Sequence, residues 1–287
     1  GQERQQLTSL LTRSGFRDEC VLDLRSKIVE DRRSAASALQ LFSDSTTEQA
    51  LLAALDDEDG RVRLAAAGSL KMINALPDLR VLVQKLEEKD VLASRDVRTL
   101  FRDLARRTPL SLRQLAADAD GDTQLKIVLA DAMSEASDFR LLEDLYRFAN
   151  DDDLDVRTTA LRSLGTLQHP DASAVVEHSL SDAHWQVRAV AAGAAGQIGL
   201  EHLVPQLSTL LDDDSWWVRF RSAEALSDLG ASGRQALRNR AAIVRSVNDN
   251  AGGRMAALLL DEHGLHELVP FADAEQAETA GQVPSHA

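Results

Sequence analysis

The sequence repeats with a period of 31 residues, and this period restricts the possible folds more than any other feature of the chain. The dipeptide Val-Arg starts at Val156, Val187 and Val218, and Val62 begins another copy 94 residues before Val156, close to three periods. An apolar residue stands eight positions after the corresponding anchor of seven successive units: Leu39, Leu70, Ala105, Met133, Leu164, Ala195 and Leu226. Self-similarity at a fixed period of this length indicates an array of stacked supersecondary units.

Each unit has the pattern of two helices joined by a short turn. In the second helix of one unit, apolar residues follow the 3.6-residue spacing of a buried stripe: Val187, Ala191, Ala194, Ala195 and Ile198. Aromatic residues make up 4% of the chain, so the core must be filled by Ala, Leu and Val, which suits closely spaced helices. Four glycines are predicted to end second helices with a positive φ: Gly165, Gly196, Gly199 and Gly230.

The repeat register predicts the helices and the division of the chain. The predicted second helices span residues 31–43, 60–74, 94–106, 122–135, 153–167, 184–198, 215–229 and 250–263. Residues 1–30 are expected to form N-terminal capping helices, and residues 31–265 the repeat array. Residues 266–287 are small, polar and interrupted by Pro and Gly, so we expect a flexible C-terminal tail.

A pair of opposite charges recurs in the same register. An Asp precedes the basic residue of the unit by six positions in five pairs: Asp57/Arg63, Asp120/Lys126, Asp151/Arg157, Asp182/Arg188 and Asp213/Arg219. A sixth pair, Asn248/Arg254, keeps a polar residue. The Asp falls in the turn between helices, where it is expected to cap the next helix, and the basic side chain is expected to reach the Asp of the neighbouring repeat. The pattern predicts a structural ladder of ion pairs, with an acidic, solvated edge; a docking stripe for a basic partner is the alternative use of that edge.

Three sequence features together resemble one known family: the recurrent Asp-x5-Arg, the run Val-Arg-x-x-Ala-Ala-x-Ala-Leu, and Trp185 in the segment Asp182–Arg188. They are similar to HEAT-like repeats, in the short form also found in phycobilin lyases, over roughly residues 30–265. The resemblance implies an all-α fold, a right-handed α-solenoid of about eight two-helix repeats with second helices on the concave face. Because a one-dimensional stack of repeats offers a large, rigid, curved surface, we expect a non-enzymatic scaffold that binds another protein on that face. A phycobilin lyase-like enzyme that attaches a chromophore is the alternative.

Composition excludes several other functions. The chain has 32 Lys and Arg against 46 Asp and Glu, a net charge of −14, which argues against binding nucleic acid or an anionic membrane surface. One cysteine, Cys20, excludes an internal disulfide or a multi-thiolate metal site. His266-Glu267 and the reversed pairs of Glu and His do not share one repeat position, so they are not expected to converge on a metal. We predict no catalytic residue, cofactor or metal.

The binding residues are predicted from the few aromatic side chains. Trp185 and Trp216 share one repeat position, Trp217 follows, and Phe220 points away from the buried stripe of its helix. With Arg221 they form a set of residue types that is enriched in binding hot spots. Arg162, Thr158 and Thr159 are expected to extend this surface towards the preceding repeat. The alternative is that the tryptophans only shield the junction between repeats.

The location of the protein stays open. No segment has the 18 or so uncharged apolar residues of a membrane span. The chain begins with Gly1 instead of Met, so we expect that a segment was cleaved off, and that segment is a place for an anchor. The two locations considered are the cytoplasm and a membrane-tethered position in a bacterial envelope assembly.

Overall fold

The protein is an α-solenoid, as the repeat pattern predicted. A computed structural model describes residues 2–86, 89–136, 138–244 and 251–262. Within these ranges the regular structure is α-helix and short 3-10 turns, without a strand. The helices group into two compact units, Gly1–Ala172 and Ser173–Ala287, and each is described separately. The predicted tail, residues 266–287, lies outside the described ranges.

The first unit contains the predicted N-terminal helices and the first five repeats. Its helices are α1 (Gln2–Arg13), α2 (Phe16–Asp23), α3 (Val29–Ala38), α4 (Ser45–Ala54), α5 (Gly60–Met72), α6 (Leu79–Lys85), α7 (Lys89–Leu92), α8 (Arg95–Ala105), α9 (Pro109–Asp118), α10 (Thr123–Met133), α11 (Leu142–Ala149) and α12 (Leu154–Leu167). Second helices pack side by side here, α5 on α3 and α10 between α8 and α12.

The second unit contains the remaining repeats. Its helices are α13 (Ser173–Ser179), α14 (Trp185–Ile198), α15 (Val204–Leu210), α16 (Trp216–Asp228), α17 (Gly230–Val244) and α18 (Ala251–Glu262). The second helix α16 packs against both α14 and α18. Across the two units, the predicted second helices are α3, α5, α8, α10, α12, α14, α16 and α18, each beginning within two residues of its predicted start.

The Val anchors of the repeats belong to the core. Val62, Val156, Val187 and Val218 are completely buried, and each lies in the first turn of its second helix. Burying a Val side chain contributes roughly 1.5–3 kcal/mol. The repeated anchor therefore secures the start of each second helix.

Consecutive second helices are linked differently in the two units. In the first unit, Ser69 Oγ donates to the carbonyl of Ala36, and Ser163 Oγ to that of Ala130, each at 2.7 Å and buried. The serine is replaced by Ala in the second unit. There Gly196 brings α14 so close to α16 that a Cβ on it would lie 2.8 Å from the Cα of Ala225. The small side chains predicted for the interhelical stripe thus allow direct backbone contact.

Two of the four glycine predictions are wrong. Gly199 and Gly230 have φ values of 82° and 71°, as predicted for helix ends. Gly165 and Gly196 lie inside α12 and α14, where they are buried. Packing, and not a turn, selects glycine at Gly196, and α12 ends on Gln168, with a φ of 53°.

The predicted ion-pair ladder is present. Arg32 donates hydrogen bonds from Nε and Nη2 to the carboxylate of Asp57 at 2.7 and 3.0 Å. Arg188 donates in the same way to Asp213 at 2.7 and 2.9 Å. Lys126 Nζ donates to Asp151 at 2.8 Å. Each acceptor belongs to the turn of the next repeat. The ladder therefore joins neighbouring repeats within each unit.

The ladder arginines also hold their own turns. Nη1 donates to backbone carbonyls six and five residues earlier at Arg63, Arg157, Arg188 and Arg219. The expected role of the Asp needs correction, because its side chain accepts the amide two residues on, just before the helix. Thus Asp213 Oδ1 accepts from Ser215 N at 2.8 Å. A different acid caps the helix itself where one is available, as Asp153 does for α12.

Candidate protein-binding surface

Three aromatic rings and an arginine lie together on the first two turns of α16. This group, Trp216, Trp217, Phe220 and Arg221, is called the aromatic patch below. The helix starts at Trp216 after Ser215, whose amide is held by Asp213, which Arg188 holds in turn. The ladder therefore fixes the start of the helix that carries the patch.

The rings of the patch pack on one another, and its two indoles stay exposed. Trp216 and Phe220 stack with centroids 5.2 Å apart and planes at 8°. Trp217 meets Trp216 edge-on at 4.9 Å and Phe220 at 6.4 Å. Trp216 and Trp217 are 46% and 52% exposed, whereas Val218 is fully buried. Stacked and edge-to-face contacts hold the rings in a fixed arrangement before any partner arrives.

Arg221 connects the patch with the neighbouring helix α14. Its guanidinium lies 6.0 Å from the centroid of Phe220, and Nη1 pairs with Glu224 at 2.7 Å. Its Cδ lies 4.0 Å from the position that a Cβ would take on Gly193. The patch thus has an exposed ion pair, Arg221 with Glu224, beside its rings on the side that faces α14.

The other predicted binding residues are distributed over both units. Trp185 is the first residue of α14 and 41% exposed, in the same repeat position as Trp216. Arg162 is exposed on α12 of the first unit, and its part in the binding surface stays a prediction. Thr158 and Thr159 were predicted to extend the surface, which is wrong: each is only 9% exposed, because α12 packs against α10 and α11.

Sequence reasoning missed a wide cleft in the first unit. It has a volume of about 830 Å³ and lies along α3, α5 and α8, with Leu64, Gly68 and Met72 among its lining residues. A signal was present, because Val62 and Val97 are 35 residues apart, four more than the period. The cations in its lining are paired: Arg33 with Glu30, Arg61 with Asp59 and Lys71 with Asp103.

A smaller pocket adjoins the aromatic patch and was also missed. It has a volume of about 280 Å³ between α16 and α18 and is lined by Trp216, Arg219, Arg254, Met255 and Leu258. Met255 is buried, while Leu258 is 53% exposed. The pocket combines apolar walls with two guanidinium groups.

Side chains suited to catalysis are few. Burial raises the pKa of the Cys20 thiol, which keeps it protonated and a poor nucleophile. Ser173 Oγ lies 3.0 Å from His202 Nε2 on the surface, but within the described ranges no other hydrogen bond holds the His202 imidazole, and an activated serine requires a histidine oriented by a third group. The described ranges hold no group of three or more His, Cys, Asp or Glu side chains placed to bind a metal. They also hold no helix long and apolar enough to cross a bilayer.

Comparison with known protein families gives one match. The model for HEAT repeats matches residues 109–185 and 176–247, which include the aromatic patch and Trp185. No curated protein matches the sequence.

Several solved structures resemble this fold. The complex of CpcE and CpcF of phycocyanin lyase from Nostoc sp. is 18% identical, covers 86% of this chain and 94% of that chain, and gives a TM-score of 0.35. YibA of Escherichia coli is 18% identical, the match covers 85% of this chain and 92% of that chain, and the TM-score is 0.48. An engineered protein is 16% identical, the match covers 90% of this chain and 85% of that chain, and the TM-score is 0.44. Identities and scores this low carry no information about function.

Proposed function

Because the chain belongs to the HEAT-repeat family, with matched repeats over residues 109–247, we propose that it is a scaffold that binds another protein and performs no reaction itself. The proposed binding surface is the side formed by the second helices. The aromatic patch on α16 is its centre within the second unit, and Trp185 contributes to it there; for Arg162, in the first unit, a binding role is proposed separately. Stacked repeats offer a broad surface of this kind, since each helix adds its outward side chains to those of its neighbours.

The observation that carries the proposal is the exposure of the aromatic patch. In a chain with few aromatic residues, two tryptophans that are about half exposed lie in contact with each other and with Phe220. Covering ~100 Å² of each indole would contribute about 2.5 kcal/mol per ring. Exposed apolar clusters beside a charged group are typical of protein-interaction sites.

Order within the patch supports the same proposal. The rings restrain one another, and the start of α16 is held by Ser215, Asp213 and Arg188. A partner would therefore spend little free energy on ordering this surface. That property suits a scaffold whose binding site exists before binding.

The test compares partner binding by three forms of the full chain. Proteins captured by the wild type from its native source would be identified and purified, and their affinities measured by calorimetry. The variant Trp217→Ala/Phe220→Ala should weaken binding by about 2 kcal/mol, or roughly 30-fold. Phe139→Ala is the matched control, because Phe139 is a 55% exposed ring in the first unit, packed on His169.

Equal affinities of the wild type and the double variant, with equal helicity by circular dichroism, would remove the aromatic patch as the site. A phycobilin lyase-like activity is the alternative, and it rests on the repeat type alone. It predicts that added phycocyanobilin shifts its visible absorption on binding to the protein, whereas the scaffold proposal predicts an unchanged spectrum.

A further inference from the structure

The ladder arginines show how this fold binds a carboxylate. Arg32 and Arg188 use the same three groups: Nε and Nη2 grip an Asp of the next repeat, and Nη1 donates to a backbone carbonyl before their own helix. The carboxylate is thus held by two parallel hydrogen bonds, the geometry in which guanidinium groups bind acids best. The acceptor is always presented by a segment packed next to the arginine.

Arg219 has only half of this arrangement. Its Nη1 donates to the carbonyls of Asp213 and Asp214 at 2.7 and 2.9 Å, as in the other repeats. Its Nε is buried and has no hydrogen-bond acceptor, and no carboxylate in the described ranges pairs with this side chain. The sequence position that supplies the Asp in preceding repeats is occupied by Asn248. A buried donor without an acceptor is unfavourable, and an added carboxylate would satisfy it.

Arg219 also lines the pocket between α16 and α18. The apolar walls are Trp216, Met255 and Leu258, and Arg254 adds a second positive charge. At about 280 Å³ the pocket is smaller than the roughly 300–1,000 Å³ of sites for drug-sized ligands, so it suits one large side chain. Among the described residues, the pocket lining holds two arginines and no carboxylate, and on a chain of net charge −14 this favours an acidic ligand.

The Asp side chains that accept hydrogen bonds from Arg32 and Arg188 indicate which groups such a ligand would carry. Asp57 and Asp213 each follow a buried leucine by two positions, Leu55 and Leu211, which are 2% and 0% exposed. In these two turns a buried leucine therefore precedes, by two positions, the carboxylate that binds the arginine of the previous repeat, whereas Ala149 holds that position before Asp151. A partner segment with the same pair matches both halves of the pocket.

We propose that this pocket binds a short segment of the partner protein in which an Asp or Glu follows a large apolar residue by two positions. The apolar side chain packs between Trp216, Met255 and Leu258, and the carboxylate binds the Nε–Nη2 edge of Arg219. The segment thus supplies to Arg219 the kind of carboxylate contact that Asp57 supplies to Arg32 and Asp213 to Arg188. This inference rests on the proposed scaffold function and specifies the chemistry of the partner at the edge of the aromatic patch.

The test uses a phage library of random 12-residue peptides selected on the full-length wild-type chain. Enriched peptides would be synthesised and their Kd measured by calorimetry at low and high salt. We expect them to share the apolar-x-acid pattern and to bind more weakly as salt screens the charge. Arg219→Gln should raise Kd about tenfold or more, and Leu258→Glu should do the same by placing a negative charge in the apolar wall.

Two controls separate binding from folding. Arg157→Gln removes an arginine that holds its own turn in the same way but lies in the first unit, so it should leave Kd within about twofold. Leu258→Glu alters an exposed side chain and leaves the turn contacts of Arg219 intact, so it remains informative if Arg219→Gln unfolds.

Several results would overturn the proposal. Enriched peptides without an acidic residue, or with a Kd insensitive to Arg219→Gln and Leu258→Glu, would do so. A library that yields no binder would also overturn it. So would a molecular mass in solution that halves on Leu258→Glu, because a second copy of the chain would then fill the pocket of the wild type. Peptides that lose binding only in Trp217→Ala/Phe220→Ala would uphold the scaffold function and refute this pocket.

Discussion

Arg188 donates to both carboxylate oxygens of Asp213, and through Asp213 it fixes Ser215, the residue that precedes α16. The side chains are 18% and 8% exposed. Burial by itself raises the pKa of Asp213, but the hydrogen bonds from Arg188 and the Ser215 amide, with the charges of Arg188 and Arg219, lower it on balance. One pair thus joins two repeats and orients the helix that carries the aromatic patch.

Removing the charge of Asp213 should destabilise the second unit. Asp213→Asn leaves the Arg188 guanidinium without its anionic partner, and we expect a loss of about 2 kcal/mol in the free energy of unfolding. Urea unfolding followed by circular dichroism measures it. Asp214→Asn is the matched control, because Asp214 is exposed and should change stability by less than about 0.5 kcal/mol. Equal midpoints for the two variants would show that the ladder adds no stability.

Stability should fall in acid. The hydrogen bond from Arg61 lowers the pKa of Asp59 to about 2, and the pKa values of Asp213 and Asp151 are also lowered despite their burial. A carboxyl whose folded pKa lies below its unfolded value stabilises the fold above the unfolded pKa, near 3.8, and loses that contribution as pH falls through the folded pKa. Urea midpoints should be constant between pH 7 and about 5 and fall from about pH 4 towards 2. A midpoint as high at pH 3 as at pH 7 would contradict this.

Asp144 should behave in the opposite way. Burial raises its pKa although Arg147 and Arg113 lie nearby, and its Oδ2 has no hydrogen-bond partner. A carboxyl with a raised folded pKa loses stability as pH rises through that pKa, because the folded state then holds an unfavourable charge. Asp144→Asn should therefore gain stability relative to the wild type as pH increases from 3 to 7. Urea unfolding of both proteins at pH 3 and pH 7 measures this. The same stability difference between Asp144→Asn and the wild type at both pH values would refute the prediction.

Two helix glycines provide a paired test of interhelical distance. A Cβ at position 196 meets the backbone of Ala225, so Gly196→Ala should cost about 1–3 kcal/mol by forcing α14 from α16. Position 68 of α5 has no atom within 4 Å of an added Cβ, so Gly68→Ala should stabilise the helix by about 0.5–1 kcal/mol. Thermal unfolding of both variants and the wild type measures whether each substitution raises or lowers the stability. The same sign for both would show that the contact at Gly196 does not control packing.

The second helices could be predicted from the repeat because the residues at which they begin and end recur in register. The predicted starts at residues 153, 184 and 215 are one residue from the observed first residues Leu154, Trp185 and Trp216, since the polar turn before each buried Val recurs in register. The exposure of Trp216, Trp217 and Arg221 could also be anticipated, because the helical stripe through Val218 leaves them outside the core.

Other features depend on tertiary contacts that one sequence does not reveal. Gly196 looked like a helix end, but the proximity of Ala225 decides its role. Thr158 and Thr159 have the polarity of surface residues, yet neighbouring helices cover them. The pocket beside Trp216 requires α18 to place Met255 and Leu258 next to α16, which no local pattern indicates.

The short reach of each ladder arginine affects how such a chain can change in evolution. Arg188 touches its own turn and the turn of one neighbour, so a substitution there perturbs two modules and leaves more distant ones unaltered. An outward residue such as Trp217 belongs to no rung of the ladder. New recognition properties can therefore be acquired one module at a time, while the inherited framework keeps its register.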